Sequence, residues 1–199
     1  KMAEKLSQVR QRSAKKFAEE ICGQMKELNF LDSRFEIRIS EAEKYSSNGK
    51  DEAEFYLSVN PGEPLKPLGS VASGGEISRV MLAVKTVLAD EEDTPTLIFD
   101  EIDTGISGIT AGKVGDRLRL IGKSRQVICI THLPQIAATA DHHFLIRKKA
   151  EGTSVRTDVE MLDEAASVEE LARLLGGANV TERVMESAKE LKELAKCER

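Results

Sequence analysis

The sequence predicts an α/β fold with a mostly parallel sheet flanked by helices and one long helix at its start. Two short apolar runs, over 96–99 and 127–130, are continuous rather than alternating, as in strands buried on both faces of a parallel sheet. Between them the pattern over 111–121 predicts a crossover helix, which completes a βαβ unit with a right-handed connection. A chain of 199 residues is long enough for one domain with a sizeable core.

Composition excludes several classes of protein. Charged residues make up 32% of the chain and hydrophobic residues 40%, a balance that fits a soluble globular protein and argues against long disorder, collagen or a membrane chain. Only 4% of residues are aromatic and Trp is absent, so stacking platforms for single-stranded nucleic acid are not expected. A net charge of -5 means that the chain as a whole is not a basic polyanion binder.

Three simple features of the sequence predict the cellular compartment of the protein and indicate that the chain is part of a longer one. The three cysteines are scattered and show no metal-ligand or redox spacing, which favours a reducing, cytoplasmic compartment. No apolar run approaches the roughly 20 residues that span a bilayer, and the start lacks the apolar stretch of a signal peptide, so no membrane partner is expected. The first residue is Lys1 rather than Met, which indicates a fragment of a longer protein.

The first 28 residues are predicted to form one amphipathic helix. Apolar residues recur there at steps of three or four: Ala14, Phe17, Ile21, Met25 and Leu28. The helix either packs on its own domain or is the end of a coiled-coil arm, and the pattern fits both. The domain over 29–199 is then predicted to hold strands at 35–39, 55–59 and 144–146, a hairpin return at 155–159, and helices at 74–89, 168–175 and 181–195.

The segment from Ser73 to Glu76 has two interpretations. Ser followed three residues later by Glu is a capping box, a common helix start. The segment 167–170 has the same spacing without glycines and serves as an internal comparison. Capping does not need Gly74 and Gly75, whereas paired glycines at a helix N-terminus allow close backbone approach to an anion, so contact with a phosphate is the favoured interpretation.

Polar residues follow both buried strands, where ligands bind in open parallel sheets. Asp100 and Glu101 follow the first strand, and His132 follows the second. The two carboxylates can divide a task, one holding Mg²⁺ and the next orienting or deprotonating water, or they can simply cap a turn. His132 is either a structural histidine or part of the same site, while His142 and His143 are expected on the surface.

A phosphate-cradling loop of the form Gly, four residues, Gly, Lys, Ser or Thr is absent. Two Gly-Lys pairs, at Gly122 and at Gly112, come close to this pattern. Each lacks the first glycine, because the residue five positions earlier is Arg117 in one case and Ser107 in the other. The sequence therefore provides the metal-and-water half of a phosphoryl site without the part that grips the phosphates.

Four ordered motifs carry a resemblance to a known family. Residues 71–76 resemble the signature motif of the ABC ATPases, 96–101 their Walker B strand, 103–108 their D-loop, and His132 their switch histidine. The segments 60–68, 99–108, 131–135 and 174–177 are similar to the SMC-like branch of that superfamily, and within it to its bacterial DNA-repair members. The resemblance covers nearly the whole chain, including the basic first helix.

This resemblance implies the C-terminal half of a P-loop NTPase head, with 1–28 as the end of a coiled-coil arm and 29–199 as head. Its site residues would be Asp100 for Mg²⁺, Glu101 for the attacking water, His132 for the γ-phosphate, and Ser73, Gly74, Gly75, Glu76 and Asp103 for ATP held between two heads. Its partners would be the missing N-terminal half, a second head in an ATP-dependent dimer and, for the whole protein, DNA on the nucleoid.

Other functions stay open at this stage. Ala72 and Glu76, where transporters usually carry Leu and Gln, favour the SMC-like side over a transporter subunit. The isolated chain can also be an inactive scaffold or interaction module. A basic cluster on the first helix, Arg10, Arg12, Lys15 and Lys16, is either a DNA contact or, as is commoner for such runs, a solvated face.

Overall fold

The computed structural model describes residues 1–70, 73–89, 91–151 and 154–197, so Val71 and Ala72 of the predicted signature lie outside the described residues. The helices are α1 (Met2–Glu27), α2 (Gly74–Val87), α3 (Gly108–Gly122), α4 (Pro134–Ala137), α5 (Glu164–Gly176) and α6 (Glu182–Cys197). The strands are β1 (Arg34–Ser46), β2 (Gly49–Ser58), β3 (Lys66–Pro67), β4 (Thr96–Phe99), β5 (Gln126–Cys129), β6 (Phe144–Glu151) and β7 (Ser154–Met161), with a 3-10 turn at Leu68–Ser70. Two compact units result, Lys1–Gly105 with Ile121–Cys129, and Ile106–Leu120 with Ile130–Arg199.

In the first unit, α1 packs its second half on its own unit and ends in a defined cap. Ile21 and Met25 are fully buried, whereas Met2 at the other end is 88% exposed. Asn29 adopts a left-handed φ of 69° and the amide of Phe30 donates to the Met25 carbonyl at 3.0 Å, the pattern of a Schellman motif. The helix therefore packs on its own unit, and its predicted role as the end of an arm stays a prediction.

Helix α1 packs on the β1–β2 hairpin. The antiparallel register of the hairpin runs from Arg34 opposite Ser58 to Glu41 opposite Asp51, and β3 adds to the other side of β2. Arg10 of α1 forms an ion pair with Asp51 at 2.9 Å, and the Asp51 side chain is 4% exposed. Hydrogen bonds from Ser7 and then Arg10 lower the pKa of Asp51. This joins α1 to the hairpin.

The parallel part of the predicted sheet is the β4–β5 pair, in register from Thr96 opposite Gln126 to Phe99 opposite Cys129. Leu97 and Phe99 are buried, but Ile98 and its partner Ile128 are 68% and 44% exposed. The expectation that both faces are buried is therefore wrong for the described residues. These strands are apolar on both faces, and the residues that the structure describes cover only one of them.

In the second unit, β6 and β7 form an antiparallel hairpin and α5 packs on α6 around Leu171, Ala172 and Ala188. Helix α5 begins earlier than predicted, because Asp163 is its N-cap and its Oδ1 accepts from the Ala166 amide at 2.8 Å. Ser167 is buried within this helix. The proposed capping box at 167–170 is therefore wrong.

The two neighbouring histidines differ in environment. His142 is exposed as predicted, but His143 is half-buried, with its Nδ1 2.9 Å from the Ser167 hydroxyl. Burial lowers the pKa of His143, and the charge of Lys192 lowers it further, against an opposing effect of Glu170. The surface placement of His143 is therefore wrong, because it lies opposite a serine inside α5.

Lys192 of α6 gives a stability prediction. It is a buried lysine whose Nζ donates to the carbonyl oxygens of Ala138 and Ala140 at 3.2 and 3.1 Å. Lys192→Met should lower the free energy of unfolding by about 1–3 kcal/mol, since it leaves these carbonyls without that donor. Urea unfolding measures the loss, and Lys189→Met, at an exposed position of the same helix, is the control. Equal stabilities for the two variants would contradict the prediction.

Within the described ranges, each helix is too short or too polar to span a bilayer.

Candidate functional site

Helix α2 begins at the predicted site segment, and Ser73 is its N-cap. Ser73 has extended backbone angles, and its hydroxyl accepts from the Glu76 amide at 3.4 Å. The capping interpretation is therefore present in the structure. Because a capped N-terminus still presents further amides and the positive end of the helix dipole, capping and phosphate contact are compatible here.

The paired glycines have a packing reason that the sequence interpretation missed. A Cβ on Gly75 would lie 2.7 Å from the Thr104 carbonyl oxygen, 2.9 Å from the Thr104 Cβ and 3.0 Å from the Glu101 carbonyl oxygen. A Cβ on Gly74 would overlap the Glu101 carboxylate. The start of α2 therefore touches the segment that follows β4. At Gly75 the neighbours include main-chain atoms, so this approach needs a glycine there, whereas at Gly74 the neighbour is the flexible end of the Glu101 side chain.

Asp100 and Glu101 come directly after β4, and both are exposed. Asp100 accepts twice: its Oδ1 from the Glu101 amide at 2.9 Å, and its carbonyl from the Ser78 hydroxyl at 2.8 Å. Glu101 has a φ of 57°, a left-handed conformation that costs a non-glycine residue on the order of 1–2 kcal/mol. Strained residues of this kind concentrate at functional sites.

The turn that follows is closed by the Thr104 amide, which donates to the Glu101 carbonyl at 3.0 Å. Gly105, with a φ of 75°, ends it. Asp103 lies inside this turn and is 4% exposed, in contrast to the exposed Asp100 and Glu101. The structure therefore brings Ser73 to Glu76, Asp100, Glu101 and Asp103 into one cluster of the first unit, with Asp103 on its buried side.

Arg79 is a member of this cluster that sequence reasoning missed. It is 5% exposed, and its Nη1 donates to the carbonyl oxygens of Ile102 and Thr104 at 3.1 and 2.8 Å. Burial lowers its pKa, against the charges of Glu76 and Asp103. Its position in the sequence could have indicated this role, because Arg79 follows Gly75 by four residues and so lies on the same face of the helix.

The cluster can bind Mg²⁺ only if a phosphate group supplies some of the ligands of the ion. The part of the chain that the structure describes brings no three His, Cys, Asp or Glu side chains together as a ready-made metal site. Mg²⁺ is commonly held by one or two carboxylates, with waters and substrate phosphates as its other ligands. The exposed carboxylates of Asp100 and Glu101 suit that mode.

His132 belongs to the second unit and is exposed. The hydroxyl of the preceding Thr131 accepts from the Leu133 amide at 3.0 Å, and Pro134 then begins α4. This local turn and the proline restrict the backbone around the histidine. The structure thus places His132 on a constrained loop just after β5.

Cys129, at the end of β5, gives a prediction about reactivity. Burial, and then the charges of Asp103 and Asp100, raise the pKa of its thiol to about 12. The thiolate is the reactive form, so at pH 8 iodoacetamide should modify Cys129 at least about 100-fold more slowly than the exposed Cys197. Peptide mass spectrometry over time measures both sites. Equal rates in the folded protein would contradict this environment for Cys129.

Comparison with solved structures defines the class of fold. The chain matches the Smc head domain with a coiled coil and joint from Pyrococcus yayanosii, with a TM-score of 0.58 and 21% identity over 82% of this chain and 29% of that one. It also matches a structure described under ATP-driven dimerization and DNA stimulated activation of SMC ATPases, with a TM-score of 0.52 and 20% identity over 87% of this chain and 99% of that one. The fold is therefore that of an SMC head domain, as predicted.

The particular protein that the chain resembles is the DNA repair protein RecN. The chain is 45% identical to RecN of Halalkalibacterium halodurans over 194 residues, which cover 96% of this chain. The predicted resemblance to the DNA-repair members of the SMC-like ATPases is thereby confirmed. The chain spans about a third of that relative's length, 34%. No model of a known protein family matches it.

Proposed function

We propose that this chain is the C-terminal half of an SMC-like ATPase head, part of a longer protein that acts in recombinational repair of DNA double-strand breaks. The observation that carries the proposal is the contact between the glycine start of α2 and the turn after β4. This contact places a glycine-containing helix N-terminus, of the kind that binds phosphate, next to two exposed carboxylates, those of Asp100 and Glu101. The similarity to RecN over 96% of the chain supports the biological role.

In this proposal Glu101 is the general base for ATP hydrolysis. Its exposed carboxylate accepts a proton from the water that attacks the γ-phosphate. Asp100 would hold Mg²⁺, which when bound would neutralise phosphate charge. The hydrogen bond from the Glu101 main-chain amide to Asp100 Oδ1 orients the Asp100 carboxylate on the main chain that carries Glu101. His132 contacts the γ-phosphate from its constrained loop.

Ser73, Gly74, Gly75 and Glu76 act on ATP bound to a second head in this proposal. Gly74 is exposed at the start of α2 while Gly75 is buried against the turn, so the helix start has one solvent side and one packed side. The solvent side offers amides and the positive end of the helix dipole to phosphates. Asp103, behind it, contributes to the same ATP site through the turn that it occupies.

The remainder of the head is proposed to come from the missing N-terminal half. The exposed face of β4–β5 at Ile98 and Ile128 needs an apolar cover, and so does the β6–β7 hairpin, where Phe144 and Met161 are exposed register partners. The phosphate-cradling loop absent from this sequence belongs to that half. The isolated chain is therefore proposed to be inactive.

DNA binding is proposed for the full-length protein in the cytoplasm, on the nucleoid. Of the basic cluster on α1, Arg10 pairs with the buried Asp51, whereas Arg12, Lys15 and Lys16 are exposed, with Lys16 3.6 Å from Glu20. Three exposed cations, one of them beside a carboxylate, make a small patch. We therefore propose that the DNA contact involves more of the protein than this helix.

A genetic experiment tests the proposed role. Bacteria that lack the gene for the full-length protein should survive double-strand breaks poorly, and the intact gene should restore survival. The gene with Asp100→Ala should not restore it, although the protein accumulates normally, because the exposed Asp100 side chain contributes little to folding. Equal survival with and without the gene would overturn the repair role.

A further inference from the structure

The turn between Glu101 and Gly105 accepts hydrogen bonds from a buried arginine, Arg79. Arg79 sits in the middle of α2, and the single nitrogen Nη1 reaches the carbonyl oxygens of both Ile102 and Thr104. Each hydrogen bond fixes the direction of one peptide plane. The peptide that follows Ile102 carries Asp103, so the arginine restrains the stretch of main chain beside Glu101.

Arg79 also contacts Phe30, which lies three residues after the end of α1. The Phe30 ring centroid lies 5.5 Å from the guanidinium carbon, within the range of a cation–π contact. Phe30 is itself 8% exposed and held by its main chain, which donates to the Met25 carbonyl at 3.0 Å and accepts from the Ser33 hydroxyl at 3.0 Å. The main chain that carries the ring is therefore tied to the end of α1.

A continuous path of contacts results, all within the first unit. It runs from the capped end of α1 through the Phe30 ring and the Arg79 guanidinium to the main chain of the turn. Buried arginines that bind main-chain carbonyls fix the conformation of the segment they bind, because each lost bond leaves a polar group without that partner.

We infer that Arg79 is a positioning residue for Glu101 and Asp103, and that Phe30 makes this positioning depend on where α1 ends. The inference rests on the proposed ATPase function of the full-length protein. Arg79 does not touch the nucleotide in this scheme. It acts through the turn, so a displacement of α1 reaches the hydrolytic carboxylate as a change in the turn's conformation.

The kinetic test uses the full-length protein with Arg79→Lys, which keeps the charge but removes the Nη1 that donates to both carbonyls, at the end of a shorter side chain. The expected result is a fall in kcat of at least about tenfold with KM for ATP within about twofold, the signature of lost positioning rather than lost binding. Arg125→Lys is the matched control, since Arg125 is partly buried and also donates to two main-chain carbonyls, those of Ala89 and Glu92, away from the turn. It should leave both constants within twofold of the parent.

Phe30→Leu tests the link to α1, because it keeps an apolar side chain and removes the ring. Its effect on kcat should resemble that of Arg79→Lys, and the double variant should be little worse than either single one, as expected for two residues in one path. Multiplying effects in the double variant would overturn the path. So would a kcat for Arg79→Lys no lower than that of Arg125→Lys.

Hydrogen exchange separates this inference from the proposed ATPase function. In the nucleotide-free full-length protein, the amides of 102–105 should exchange at least severalfold faster in Arg79→Lys than in the parent, with no such change in Arg125→Lys. Faster exchange in a protein that hydrolyses no ATP would defeat the ATPase proposal and leave the positioning intact. Unchanged exchange at 102–105 would overturn the positioning whatever the activity.

Discussion

Glu101→Gln in the full-length protein is expected to lower the rate of ATP hydrolysis by about 100-fold or more while ATP still binds. The amide has the size of the carboxylate but cannot accept a proton, and general base catalysis contributes on the order of 10²–10⁴-fold. Glu101 is exposed, so the substitution should leave the fold intact. Steady-state phosphate release measures the rate, and calorimetry measures ATP binding.

Glu91→Gln is the control for this substitution, because Glu91 is also exposed but lies outside the cluster. It should hydrolyse ATP at the parent rate. A full-length Glu101→Gln protein that hydrolyses ATP as fast as the Glu91→Gln protein would remove Glu101 from the role of general base. The other exposed carboxylate, Asp100, would then be the next candidate.

Gly75→Ala is expected to lower the free energy of unfolding by about 1–3 kcal/mol and to disturb the turn that carries Glu101. The added methyl would meet the Thr104 carbonyl at 2.7 Å and the Glu101 carbonyl at 3.0 Å. Both are main-chain atoms, so relief requires the helix or the turn to move. Chemical unfolding of the 199-residue chain measures the loss.

Gly23→Ala supplies the matched control, since Gly23 lies within α1 and a Cβ there meets nothing within 4 Å. It should stabilise the chain by about 0.5–1 kcal/mol, because alanine loses less backbone entropy in a helix. If Gly75→Ala were as stable as Gly23→Ala, the close approach of α2 to the turn would be contradicted.

The sequence predicted the elements well where their apolar residues formed a continuous run or a clear helical period. The run over 96–99 coincides with β4, and the helix predicted over 74–89 corresponds to α2. Elements without such patterns were missed, among them the two-residue β3 and the four-residue α4, since so few residues show no periodicity. Helix α5 was placed too late because Asp163, its actual N-cap, was passed over in favour of Ser167.

The candidate site was only partly accessible from sequence. Motifs gave Ser73, Asp100 and Glu101, because their chemistry is visible in residue type and order. The packing role of Gly75 and the buried donor Arg79 depend on which segments touch in space. Asp103 is buried for the same reason, since the turn that it occupies folds onto α2. Pattern alone does not give that contact.

The most direct test of the account is calorimetry with Mg-ATP on the 199-residue chain and, in parallel, on the full-length protein. The chain is proposed to hold half of an ATP site, because the loop that grips phosphates is absent from its sequence. Saturable binding is expected for the full-length protein and none for the isolated chain. Tight binding by the chain alone, or no binding by the full-length protein, would contradict it.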